Sequence, residues 1–154
     1  MISERAEVLK TLEAGPLIPR RLVRDLPDET VRRRPAEGEW AIVEVVAHLA
    51  DTEERTIGRT IRMLSEEEPF LEPYDPDALA LERAYLGMDL AAELDRFESL
   101  RVEQASLLAG LGDAGWERVG EHEEHGRITV QQLAAHTAGE DADHLAQIAR
   151  MIPA

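Results

Sequence analysis

Apolar residues recur along this chain at the three-and-four spacing of helices buried on one face, in four separate stretches. The first predicted segment runs from about Ser3 to Asp25, marked by Val8, Leu12 and Leu22, with Pro16 and Pro19 dividing or kinking it. The second opens after Gly38 and continues to about Ser65 through Ile42, Val45, Val46, Leu49, Ile57 and Ile61. The third opens at Asp89, a residue type that caps helix N-termini, and passes through Leu94, Phe97 and Leu107 to about Leu111. The fourth starts at Thr129, where Gln132 three residues on fits a capping box. It keeps helical spacing through Val130, Leu133, Leu145 and Ile148 to about Met151, and Pro153 forbids continuation.

Between the second and third segments lies EEEPFLEPYDPDALALERAY, broken by Pro69, Pro73 and Pro76, where Asp75 or Asp77 caps a short helix leading into Tyr85. The stretch GDAGWERVGEHEEHG reads as loop, and no segment alternates convincingly as a strand. Four long helices with one long proline-rich connection predict an all-α four-helix bundle with a crossover, in a single domain over residues 1–154.

Composition narrows the function classes. At 154 residues, 44% hydrophobic and 32% charged, the chain can bury a real core. With no cysteine there is neither a disulfide framework nor a thiolate metal site. A formal charge of −15 repels phosphate over a Debye length of roughly 8 Å, which argues against a nucleic-acid partner. Arg32 to Arg34, with Arg20, Arg21 and Arg24 upstream, reads as solvated surface balancing the acidic remainder. The apolar runs are too short to span a bilayer and Met1 opens no secretion leader, so the expected location is cytoplasmic.

The chemistry-bearing groups are five histidines, His48, His122, His125, His136 and His144, among many carboxylates. Phosphate-binding glycine loops and the G-x-S-x-G elbow are absent from the sequence. His136, Glu140 and His144 follow one another at intervals of four. On a helical wheel His144 and Asp141 face inward, Glu140 lies about 40° round the flank and His136 about 40° further, so Glu140 and His144 are the better-placed pair. Asp141 on the apolar stripe needs a partner; a ligand histidine and an arginine both satisfy the pattern. In the second helix Glu53 falls on the apolar stripe and His48 roughly 150° from its centre, so a ligand there would have to sit in a groove beside the core, which the wheel permits without selecting His48.

The stretches GEWAIVEVVAHLADTE (38–53), YDPDALALERAY, HEEHGRITVQQLAAH (122–136) and EDADHLAQI, in that order and over essentially the full length, resemble the DinB/YfiT-like superfamily. The resemblance implies an up-down-down-up four-helix bundle, often dimeric, with a divalent metal held by three histidines. One ligand comes from the W-x-x-x-E-x-x-x-H context of the second helix, here His48 after Trp40 and Glu44. The others form HxxxH on the last helix before L-x-Q-I; here the second is His144 and the first falls on Glu140.

Glu140 is a departure: a carboxylate replaces imidazole, giving a His, His, Glu set and shifting preference from Zn or Ni toward harder ions such as Mn or Fe. His136 stands one turn too early for the pattern, and His122 and His125 read as exposed loop residues. Ala41 departs from the family's Ser or Thr helix cap, while Trp40, Trp116 and Tyr85 match its recurring aromatics and read as packing residues.

The implied activity is a metal-dependent enzyme acting on a small molecule, either transferring a low-molecular-weight thiol to an electrophile or hydrolysing its substrate. The competing expectation is a non-catalytic binding or dimerisation module in which the metal site has decayed at position 140.

Overall fold

A computed structural model describes residues 3–154. The first predicted segment is two helices, α1 (Glu4–Ala14), capped by the Ser3 hydroxyl, and α2 (Leu17–Leu22), parted at Gly15–Pro16. After a short α3 (Asp28–Arg32) come the long α4 (Ile42–Ser65), strand β1 (Phe70–Leu71), α5 (Pro76–Glu82) and a 3-10 turn at Tyr85–Gly87. Next is α6 (Leu90–Ala109), capped by Asp89, followed by α7 (Asp113–Trp116), β2 (Val119–His122), β3 (Gly126–Thr129) and α8 (Val130–Met151). Of the two carboxylates offered for α5, Asp75 is the cap, accepting from the N–H groups of Asp77 and Ala78. Thr129 and Gln132 form the reciprocal capping box of α8.

The helices α1, α4, α6 and α8 form an up-down-down-up four-helix bundle. One apolar cluster gathers Leu12, Met63, Leu108, Trp116, Val130 and Leu133. A second gathers Val23, Val46, Leu49, Leu94, Phe97 and Ile148. Along α4 and α6 the chain moves from the second cluster to the first; along α1–α2 and α8 it moves from the first to the second. The parallel pair α4 and α6 therefore needs the long crossover of residues 66–89. Asp51 ties the crossover down, accepting from the Tyr85 hydroxyl, Arg83 and Arg96.

The chain, expected to be free of strands, contains a small sheet. Residues 119–129 fold as a hairpin, with β1 added parallel to β2, giving a three-stranded sheet in the order β1-β2-β3. Strands of two and four residues are too short to show alternation, which is why the pattern read as loop. The three-residue tip is closed by Gly126 at φ +68°, the left-handed position such a tip needs.

Between the two apolar clusters the bundle has a polar waist. Arg101, 1% exposed, donates to Glu53 at 2.8 Å, to both oxygens of Asp141 at 2.6 and 2.9 Å, and to the Leu12 carbonyl at 2.8 Å. Burial raises the Glu53 carboxyl above the usual range, against the pull of Arg101. Gly15 lets α1 approach this layer: a Cβ there would stand 2.5 Å from Asp141 Oδ2.

The arginine-rich segment is engaged in ion pairs, Arg32 with Asp28, Arg33 with Glu29 and Arg34 with Glu44. Ala41 at the α4 cap has no hydroxyl to offer, and Glu44 supplies half a capping box by accepting from the Ala41 N–H at 3.0 Å. Burial would raise the Glu44 carboxyl, but Arg34 and the Ala41 N–H outweigh it and hold the group below the usual range. A depressed native pKa contributes stability above the ordinary carboxylate range, lost as pH falls through the lowered value. Glu44→Gln is expected to cost about 1 kcal/mol near neutral pH and less on the acid side, read from urea midpoints across pH.

Candidate metal centre in the α4–α8 groove

The polar waist opens into a cleft of about 960 Å³ between α4 and α8, within the range of small-molecule sites. Trp40 and Arg150 stand at one end, His48, Glu140 and His144 follow, and Arg59 and His122 lie toward the other. The cleft exists because both helices turn polar residues to one another here: Thr52, Glu53 and Thr56 from α4, Thr137 and Asp141 from α8.

His48 and His144 meet across the groove with ring centres 4.7 Å apart. His48 is 7% exposed, covered by the Trp40 ring at 4.8 Å, so this tryptophan packs and also walls the site. Burial, with a smaller contribution from His144, pushes His48 down to about 4, so the ring is neutral at pH 7. Its Nδ1 is buried without a hydrogen-bond partner among the described residues.

His144 Nδ1 lies 2.9 Å from Gln147 Oε1. With that oxygen accepting, Nδ1 is the donor nitrogen, and in this tautomer of the neutral ring Nε2 carries the lone pair. Nε2 faces Glu140 Oε2 at 3.7 Å, too far for a hydrogen bond. In that tautomer both atoms are acceptors, and a cation placed between them would satisfy both. Gln147→Leu removes the acceptor that fixes this tautomer and is expected to weaken divalent-ion binding here by about 10–100-fold, measured by Zn²⁺ titration.

His144 faces His48 across the groove and Glu140 along its own helix, but the three do not bring one ligand atom each within 4.8 Å of one another. Asp141 lies below them with both carboxylate oxygens on Arg101, not on a histidine ring. His136 does not join His48 and His144; its Nε2 lies 3.8 Å from the other Glu140 oxygen, Oε1.

His122, read as an exposed loop residue, is 5% exposed at the end of β2. His125 is exposed, as expected. With His136 these two place ring nitrogens within 4.8 Å of one another. This grouping was hidden because it depends on the unforeseen hairpin. Gln147 was visible three residues after His144, within one helical turn, but carried no signal of its role.

A helical bundle with an imidazole–carboxylate set in an interhelical groove defines a class of α-helical protein built around a polar cleft. The family model of the DinB superfamily matches residues 19–148, so the chain belongs to that superfamily. It is similar to "Putative metal-dependent hydrolase OB0782" of Oceanobacillus iheyensis, 29% identical over 142 residues, covering 92% of this chain and 82% of that protein. It is also similar to "Putative metal-dependent hydrolase GK0616" of Geobacillus kaustophilus, 27% identical over 133 residues, 86% of this chain and 75% of that one.

Among solved structures, YfiT from Bacillus subtilis superposes with a TM-score of 0.90 at 25% identity, covering 98% of this chain and 88% of its own. That protein is described as "a probable metal-dependent hydrolase with an unusual four-helix bundle topology". No helix among the described residues is long and apolar enough to cross a membrane.

Proposed function

We propose that this protein is a divalent-metal-dependent enzyme that hydrolyses a small molecule in the α4–α8 groove, with His48, Glu140 and His144 as the protein ligands of the ion. The observation that carries the reading is His144 Nε2 facing Glu140 Oε2 at 3.7 Å, with the His48 ring, whose Nδ1 has no partner among the described residues, 4.7 Å from that of His144. Ligand atoms around one ion at 2.0–2.2 Å lie roughly 3.0–3.5 Å apart, and imidazoles sharing it have ring centres about 4.5–5.3 Å apart. The observed 3.7 and 4.7 Å approach that geometry for two of the three pairs, and binding an ion requires the Glu140 side chain to turn toward His48.

Two histidines and a glutamate are a set used by zinc hydrolases, and they leave a coordination position for substrate. Glu140 lowers the net charge of the site and favours harder ions, Mn²⁺ or Fe²⁺, relative to an all-histidine set. A bound divalent ion supplies Lewis acidity, bringing the pKa of a water or thiol toward neutrality. The chain's own residues do the positioning: Gln147 holds His144 in the ligating tautomer, Trp40 keeps bulk water from His48, and Arg101 anchors α8 through the residue next to Glu140.

The same ion set would serve transfer of a low-molecular-weight thiol, the other activity that the family resemblance implies, so the assay needs both arms. Protein loaded with Zn²⁺ or Mn²⁺ is offered an ester and amide panel, and separately a thiol with an electrophilic acceptor. The expected result is metal-dependent hydrolysis, abolished in His144→Ala. Thiol-dependent conversion alone would move the reaction to transfer. No metal-dependent turnover in either arm would leave the helical binding module.

A further inference from the structure

We propose that the groove holds a second divalent cation, two helical turns from His144 along α8, bound by His122, His125 and His136, and that Glu140 is shared between the two ions. The inference rests on the first-site reading only through Glu140, since the three histidines form their own cluster. They arrive from three elements: the end of β2, the hairpin tip and α8. Their ring nitrogens lie within 4.8 Å of one another, with ring centres 4.7, 4.8 and 5.8 Å apart.

Glu140 makes the link. It stands midway between His136 and His144, four residues from each, and divides its two oxygens between them. Oε1 faces His136 Nε2 at 3.8 Å and Oε2 faces His144 Nε2 at 3.7 Å. Both gaps exceed a hydrogen bond and approach the roughly 3.0–3.5 Å between two ligands of one ion. A carboxylate with one oxygen turned toward an imidazole on either side is placed to bridge two ions once each oxygen closes on its own ion.

Local charge is compatible with the added cation. The opposing charge is Arg59, whose guanidinium donates to the Glu72 carbonyl at 2.8 Å and to Glu123 at 3.4 Å. Glu123, next to His122, lies 3.5 Å from that ring and adds a carboxylate to the cluster.

His122 enters the site by an exchange. Its Nδ1 accepts the N–H groups of Glu124 at 3.1 Å and His125 at 3.3 Å, two long contacts sharing one lone pair. Ligation releases both, so binding of the second ion should be felt at the hairpin backbone.

The test is equilibrium dialysis of the full chain against Zn²⁺ at about 0.15 M salt, where loose binding to surface carboxylates is screened. It is accompanied by backbone amide NMR during the titration. The expected result is two equivalents per chain, falling to one in His136→Ala, to one in His48→Ala and to none in the double variant. Circular dichroism checks that each variant is folded. The amide signals of Glu124 and His125 should shift in wild type and in His48→Ala, and stay unmoved in His136→Ala. A single equivalent, retained in His136→Ala and lost in His48→Ala, overturns the second site and leaves the first standing. A single equivalent with the reverse pattern sustains the histidine cluster, removes the first-site reading and overturns the shared Glu140. Zinc uptake that leaves both amides unmoved overturns the role of His122, and no uptake overturns both sites.

Discussion

Arg101→Leu is expected to destabilise the protein by about 3–5 kcal/mol, a large part of the stability of a domain this size. The guanidinium is 1% exposed and neutralises Glu53 and Asp141 at the point where α1, α4, α6 and α8 meet. Its removal strands two buried carboxylates in a layer that also contains unpartnered Glu53 Oε1. Burial already raises Glu53, so the variant should recover stability as pH falls and the stranded acids take up protons. Urea unfolding at neutral and mildly acidic pH checks both points. An Arg101→Leu protein as stable as wild type at neutral pH would show that the waist contributes no net stability. Asp141→Asn should cost less, because an amide still accepts from Arg101 and removes one buried charge.

The second large effect is on metal binding. His144→Ala and His48→Ala are each expected to lower first-site affinity for Zn²⁺ by more than about 100-fold, with little change in the urea midpoint of the metal-free protein for His144→Ala and a loss of about 1–2 kcal/mol for the buried His48. Removing a ligand exceeds the 10–100-fold typical for a supporting residue. Glu140→His separates the two halves of the groove. It completes an imidazole set at the first site and should strengthen Zn²⁺ and Ni²⁺ binding there. It removes the carboxylate from the second site, whose affinity should fall. Isothermal titration resolves the two outcomes, and a variant that gains at neither site would contradict the placement of Glu140 among the ligands.

The bundle was legible because its signals are local and long. Four stretches carry the 3.6-residue period, and Asp89 and Thr129 announce two of the helix starts. The hairpin was not legible because strands of four residues show no period, and its closing signal is a single Gly126.

The site followed the same division. Glu140 and His144 share a helix, so spacing alone brought them together, and the wheel assigned Asp141 to the interior correctly. What spacing could not supply is the partner from another element. Arg101 beneath Asp141 and His48 opposite His144 are contacts across the bundle, set by helix packing. The wheel also put His48 well away from the apolar stripe; it is buried because Trp40 and α8 cover that flank. Nothing in a loop brings His122 and His125 to His136; the hairpin does.

Elemental analysis of the untagged protein beside His144→Ala tests the central claim most directly. The account predicts at least one equivalent of divalent metal per wild-type chain, with the equivalent at His48, Glu140 and His144 lost in the variant. A wild-type chain that carries no metal and takes up none on dialysis against Zn²⁺, Ni²⁺ or Mn²⁺ would contradict it.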